Sequence, residues 1–384
     1  MKPTRTFARP HARPHALRGM TLIEVLVGIA IGLIGMLVMF QTLTVWDART
    51  RATTAGGDAQ IAGSIAMYNL ERDIRLAGMG FADADTNELS CAPGVNVSGV
   101  DNAASAVVGF PFKPVVIVDN DLTGQPDQIA VLYGNSPFFV SKESYTNATA
   151  NDARTLSRVG FRAGDLAVMT DRACTQRLVQ VTDEPSVGND KLLTHDYGAG
   201  TYLDFYAGTS KNVRYNTAAG TGTTFTAGNI YNLGPIPHRN NWAISADTLG
   251  YSDDFSVVPG TTFGVAEGVI DLKAQYGIDT DANGKITESG PNEWMKTAPA
   301  DWTRVRAIRV ALLVRSRNFE KPPASAQEAS WSASNPAWSG GNFLMKNVDG
   351  TTDSAAFGDP NNWRHYRYKV YERTVPLRNV IWNR

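Results

Sequence analysis

The sequence predicts an α+β chain, with one long N-terminal helix packed on an antiparallel β-sheet that carries long loop insertions. Three observations predict it. An uninterrupted apolar run follows a basic start, a helical pattern continues beyond that run to Leu76, and strand-like Val/Leu-rich segments fill the C-terminal third.

The chain has 384 residues, enough for two or three ordinary domains or one elaborated body. Hydrophobic residues make up 43% and charged residues 19%, which favours a packed core and excludes wholesale disorder. With 36 Lys+Arg against 37 Asp+Glu the net charge is -1, so wrapping nucleic acid is not its business and no nucleic-acid partner is expected. The charge is unevenly placed: Lys2, Arg5, Arg9, Arg13 and Arg18 all precede the first acidic residue.

From Met20 to Trp46 the chain is apolar with one exception, Glu24. The 22 uncharged residues Val25 to Trp46 would span roughly 33 Å as a helix, against a bilayer core of about 30 Å. The positive cluster before it puts the N-terminus in the cytoplasm and the bulk of the chain outside it. An ordinary secretory signal has small residues at a cleavage site after its apolar stretch, and Val38 to Asp47 offers none. The small residue, Gly19, comes before it instead. Glu24 lies inside the membrane-length run, where a carboxylate costs a few kcal/mol unless it pairs or snorkels to the headgroups.

The run Arg18-Gly19-Met20-Thr21-Leu22-Ile23-Glu24-Val25-Leu26-Val27 closely resembles the class III leader of type IV prepilins and pseudopilins. That resemblance implies cleavage by prepilin peptidase between Gly19 and Met20, methylation of the new amino terminus, and an assembly role for Glu24. In such a bundle one subunit's carboxylate neutralises its neighbour's buried ammonium. The expected organisation is a leader over 1–19, a transmembrane helix over 20–46, its continuation over 47–80 and a β-rich body over 81–384, periplasmic and then at the cell surface. Gly28 and Gly32 form a G-x-x-x-G on one helix face, with Gly35 following, which permits close helix packing.

Gln60 to Leu76 continues the helix, with glycines at 78 and 80 as its C-cap. At 100° per residue Ile61, Ile65, Tyr68 and Leu76 fall on one face and Met67, Leu70 and Ile74 on another. This pattern suits either a helix buried centrally in its own domain or one with its own sheet on one side and neighbouring subunits on the other. Glu71, Arg72, Asp73 and Arg75 are placed at the edges. Gln128 to Tyr133, Leu166 to Thr170 and Arg177 to Val181 read as strands. Residues 185–262, rich in Gly, Thr, Asn and Asp, read as decorating loops, with part of Thr217 to Gly228 mobile. Val265 to Tyr276, Arg304 to Arg317 and Trp363 to Val375 read as the best strands, the middle one needing a bulge near Ala307.

The segments Leu70 to Gly78, Val310 to Arg317, Asn347 to Thr351, Trp363 to Tyr371 and Val375 to Asn379 resemble PilW-type minor pilins. This implies a pilin-like fold and a non-enzymatic part in type IV pilus assembly, in the priming or tip complex, with adhesion or motility as the outcome. The partners it implies are prepilin peptidase, the other minor pilins, the major pilin and a tip adhesin, with the inner membrane as first location. The J-type minor pseudopilin of type II secretion shares leader and fold and is the alternative. An anchored periplasmic enzyme or sugar-binding domain is a third reading and requires a deep pocket with convergent polar groups.

Cys91 and Cys174 both fall outside the cytoplasm, where a disulfide forms readily. Asp279-Thr280-Asp281-Ala282-Asn283-Gly284-Lys285-Ile286 has the oxygen spacing and turn glycine of a calcium loop. Asp279, Asp281, Asn283 and the Lys285 carbonyl would ligate Ca²⁺, joined by Glu288 or Glu293, because position twelve is Gly290. A plain Asp/Asn/Gly turn is the alternative. His195, His238 and His365 are dispersed, no catalytic motif stands out and no other cofactor is expected. His365, Arg367, Lys369 and Arg373 form a basic strand face, read as solvated.

Overall fold

The computed structural model describes residues 19–382 except 85, 93, 139–141, 172, 223–224, 259, 289–291, 321–333 and 352–358. Most of the expected leader therefore lies outside the described residues. The chain divides into two units, Met1–Thr54 and Ala55–Arg384.

A 55-residue helix, Leu22–Leu76, contains no proline and ends where Gly78 and Gly80 adopt left-handed φ angles of 80° and 93°. At Gly80 a side chain is excluded twice over, since a Cβ there would lie 2.7 Å from the Asn232 carbonyl oxygen. Asn379 Nδ2 donates to the last helical carbonyls, Leu76 O at 3.1 Å and Ala77 O at 3.2 Å.

In the Ala55–Arg384 unit three sheets surround the helix end. The four-stranded sheet runs Trp294–Met295, Val269–Ile278, Val305–Arg315, Tyr368–Pro376, all antiparallel. The five-stranded antiparallel sheet runs Thr262–Glu267, Thr248–Asp253, His238–Ser245, Gln128–Tyr133, Val115–Val118. The eight-stranded sheet runs Ala106–Phe110, Val97–Asp101, Gln176–Gln180, Leu166–Asp171, Gly228–Gly234, Glu143–Ala148, Asp152–Thr155, Leu192–Thr194. Its pairing of Val97–Asp101 with Gln176–Gln180 is parallel.

In the strand Val305–Arg315, Ile278 pairs with Val305 and Gly277 with Ala307, so Arg306 is the extra residue of a bulge. Beyond it Val310, Leu312 and Val314 enter the main core with Leu70 and Ile74 of the helix, while Ala311 and Leu313 enter a separate cluster with Trp338 and Phe343. A strand buried on both faces reads as a continuous apolar run, which is why its parity looked irregular in the sequence.

The expected single strand Val265 to Tyr276 is two strands in different sheets. Gly268, at φ 83°, turns the chain between them, its N–H donating to Asp247 O at 2.7 Å. Residues 185–262 are not merely loops. Gly228–Gly234, His238–Ser245 and Thr248–Asp253 are internal strands, whose Tyr231, Leu233 and Trp242 are buried. Within Thr217 to Gly228, Thr221 N–H donates to Ala150 O, and Phe225 enters a second core with Tyr145, Met169 and Ile230. The last strand begins at Tyr368 rather than Trp363, because Asn362 caps a 3₁₀ turn over Trp363–His365. His365 thus leaves the basic face for a buried position 4.8 Å from the Phe319 ring, and Arg367 pairs with Glu320.

Candidate assembly surface

The helix starts with a capping box. Thr21 N–H and Oγ1–H donate to Glu24 Oε2 at 2.9 and 3.0 Å, and Glu24 N–H points back to Thr21 Oγ1 at 3.4 Å. The Thr-x-x-Glu spacing was present in the sequence and is the signal missed there. Glu24 thus has a structural task at the positive end of the helix dipole as well as any role between subunits. Gly19 and Met20 precede the cap and are exposed.

From Leu22 to Trp46 every side chain is exposed, and the run is long and apolar enough to cross a membrane. A Cβ added at Gly28, Gly32 or Gly35 would meet nothing within 4 Å among the described residues. Just beyond, Asp47 and Arg51 form an i,i+4 pair at 2.9 Å.

Further along, the two apolar faces part company. Ala66, Met67, Leu70 and Ile74 are at most 5% exposed, whereas Ile61, Ile65 and Tyr68 are 62%, 46% and 66% exposed. Asp73 belongs to the buried face and not to the helix edge expected for it. Its Oδ2 accepts from Trp242 Nε1 at 3.0 Å and Asn240 Nδ2 at 2.7 Å, and its Oδ1 lies 3.5 Å from the Tyr133 hydroxyl. Burial, with Asp73 adding to it, holds Tyr133 protonated as a donor. Nearly three turns before Asp73, Gly63 admits the ring of Tyr371, whose hydroxyl donates to Gln60 O at 2.9 Å. The inner face is therefore fixed by packing and by a buried polar network, and the outer face is a bare apolar stripe.

Cys91 and Cys174 are disulfide-bonded, their Cα atoms 5.8 Å apart. The bond joins the segment after Thr86–Leu89 to the turn between strands Leu166–Asp171 and Gln176–Gln180. On the chain-entropy model, closing a loop of this length stabilises the fold by up to ~4 kcal/mol.

The calcium-like loop is an internally bonded turn. Asp279, 1% exposed, accepts from Gly284 N–H at 3.0 Å and from Arg306 at 3.2 Å through Oδ2. Asp281 takes the Asn283 backbone and side-chain N–H groups, and Asn283 Oδ1 takes Lys285 N–H at 2.7 Å. Glu288 pairs with Arg309, and Glu293 Oε2 accepts from Thr287. The acceptors expected to converge on a cation are thus mostly turned to other partners. Asp279 Oδ1 is the exception, being buried with no hydrogen-bond partner.

Among the described residues the aromatic-lined cleft at Tyr202, Tyr206, Tyr215 and Phe255 encloses about 540 Å³. Its polar groups are already joined to one another: Gln180 Nε2 donates to the Tyr202 hydroxyl, which donates to Asp204, and Lys211 pairs with Asp204.

No curated protein and no solved structure matches the chain. Residues 256–379, which include the strands Val269–Ile278, Val305–Arg315 and Tyr368–Pro376 that carry the inner face of the helix, match the family model described as Type IV Pilus-assembly protein W, and that match supports a part in type IV pilus assembly.

Proposed function

We propose that this chain is a non-enzymatic minor pilin, cut between Gly19 and Met20, held in the inner membrane by the first half of its helix, and built into the priming or tip complex of a type IV pilus. The observation that carries the reading is the division of one helix into a sealed face and a bare one. Ala66, Leu70, Ile74 and the buried Asp73 commit the inner face to the sheets, while Gly28, Gly32, Ile61, Ile65 and Tyr68 are left to neighbouring subunits. An exposed apolar stripe of this kind is a cost to a lone molecule and a contact in a bundle. The family match over the last sheet supports the pilus over the secretion pseudopilin.

The test is complementation of a strain lacking the gene. Ile65→Asp and Tyr68→Ala should leave membrane insertion and protein level unchanged while surface pili fall several-fold. Normal piliation with both variants would remove the bare face from the assembly contact.

A further inference from the structure

A crowded buried charge group centred on Lys273 plays no part in the assembly reading. Lys273, in the strand Val269–Ile278, is 4% exposed. Its ammonium is ringed by Asp121 Oδ1 at 2.8 Å, the Gln125 carbonyl at 3.1 Å, Asp127 Oδ1 at 3.4 Å and Asp271 Oδ1 at 3.6 Å. Asp127 is fully buried and Asp271 is 9% exposed. Lys296 pairs with Asp121 on its outer side, which leaves Lys273 as the cation nearest both Asp127 and Asp271. Two dry carboxylates around one amine are costly as ions, and a reaction that removes charge is favoured there.

We propose that Lys273 Nζ and Asp127 Cγ condense into an intramolecular amide bond, with Asp271 carrying the proton between them.

The reacting groups are held by their own backbone. Asp127 N–H donates to Leu272 O at 2.9 Å, and Ala274 N–H donates to Asp127 Oδ2 at 3.1 Å, so the residues on either side of Lys273 clamp the carboxyl beside it. Asn120 N–H donates to Oδ1 at 3.1 Å. Lys273 Nζ and Asp127 Oδ1, 3.4 Å apart, are thus held in contact by backbone hydrogen bonds to the carboxyl, and such positioning is what an intramolecular condensation needs. Burial pushes both carboxyls up from the usual carboxylate range, Asp271 to about 6.

The step balances without any other reagent. The ammonium gives one proton to Asp271, which passes it to the Asp127 carboxyl, so that a neutral amine attacks Cγ; nitrogen loses its second proton after the C–N bond has formed, again through Asp271, to the departing oxygen. Oxyanion charge develops on Oδ2, where the Ala274 N–H already points. The C–N bond forms, the C–Oδ1 bond breaks, and Oδ1 leaves as water with the protons the ammonium has lost. A charged –NH₃⁺ and –COO⁻ become –CONH– and H₂O. The product ties the start of the strand Gln128–Tyr133 to the strand Val269–Ile278, two segments from different sheets.

Intact mass and tandem mass spectrometry of the purified, detergent-solubilised full chain decide it. The expected result is a protein lighter by one water, beyond the loss of two hydrogens at the disulfide, and a branched peptide joining Asp127 to Lys273. Asp127→Asn should form the same bond with loss of ammonia, while Asp127→Ala and Lys273→Arg should not. Separate, full-mass peptides from the folded wild-type protein overturn the proposal, whatever the variants do. A branched peptide at Asp121 or Asp271 overturns the assignment to Asp127.

Discussion

Gly63 lies against the face of Tyr371, so close that a Cβ on residue 63 would sit 2.2 Å from Tyr371 Cε2. The glycine is a packing requirement inside a helix that otherwise pays about 1 kcal/mol for it. Gly63→Ala should therefore destabilise the protein, by about 1 to 3 kcal/mol. Gly57 is the internal control, since a Cβ there meets nothing within 4 Å. Gly57→Ala should stabilise by up to about 1 kcal/mol. Urea unfolding midpoints of the two variants should move in opposite directions.

Asp73 joins the helix to the sheet through groups far apart in sequence. Asp73→Ala strands the buried Trp242 N–H and the Asn240 amide, an expected loss of about 2 to 4 kcal/mol. Asp73→Asn keeps the shape and one acceptor oxygen, and should lose less. Equal midpoints for the two variants would mean that volume alone matters at this position.

How much of this was legible depends on the range of the interactions. The helix and its two faces could be read because a 3.6-residue period and 22 uncharged residues are local facts. Gln128–Tyr133 and Val305–Arg315 could be read because strands buried in a core are dense in Val, Leu and Ile. Gly228–Gly234 and His238–Ser245 could not, because their Asn, Gly and Ser residues suit turns and only distant pairing partners make strands of them. Asp73 was placed at a helix edge for the same reason: its three partners are 60, 167 and 169 residues away. Gly268 illustrates the converse, a single residue whose φ splits an apolar run between two sheets.

Two histidines should give stability opposite pH slopes. Burial pushes His195 down to about 4, so the folded protein keeps it neutral where the unfolded chain protonates it. Its contribution is present above about 6.5 and is lost as pH falls from there toward 4. The hydrogen bond to Asp253 raises His238, so that contribution is complete below about 6.5 and is lost as pH rises through the higher folded value. Asp253 is itself held low, chiefly by His238 acting against burial, so the pair persists down into the acidic range. Unfolding midpoints in urea should fall on the acid side in wild type and less so in His195→Asn, while His238→Gln should flatten the alkaline limb.

For the Asp279 turn the expected outcome is indifference to calcium. The turn holds its own shape through Asp281 and Asn283, which accept from backbone N–H groups within it, while Glu288 pairs with Arg309 and Glu293 accepts from Thr287, an arrangement that a plain Asp/Asn/Gly turn accounts for without a cation. The thermal midpoint should be the same in millimolar Ca²⁺ and in chelator. A rise with Ca²⁺ that is lost in Asp281→Ala would restore the cation reading.

Glu24 has two candidate tasks, and one pair of variants separates them. Its carboxylate caps its own helix through Thr21, a task that glutamine performs nearly as well in a capping box. Neutralising a neighbour's amino terminus needs the negative charge, which glutamine lacks. If the inter-subunit pair governs assembly, Glu24→Gln should lose pili as severely as Glu24→Ala while both proteins insert and are cleaved normally. If capping governs, Glu24→Gln should assemble like wild type and Thr21→Val should share the defect of Glu24→Ala. Counting surface pili in the four strains distinguishes them, and the charge-dependent outcome is the one expected, because the cap secures only the first turn of a helix that the proposed membrane location would itself stabilise.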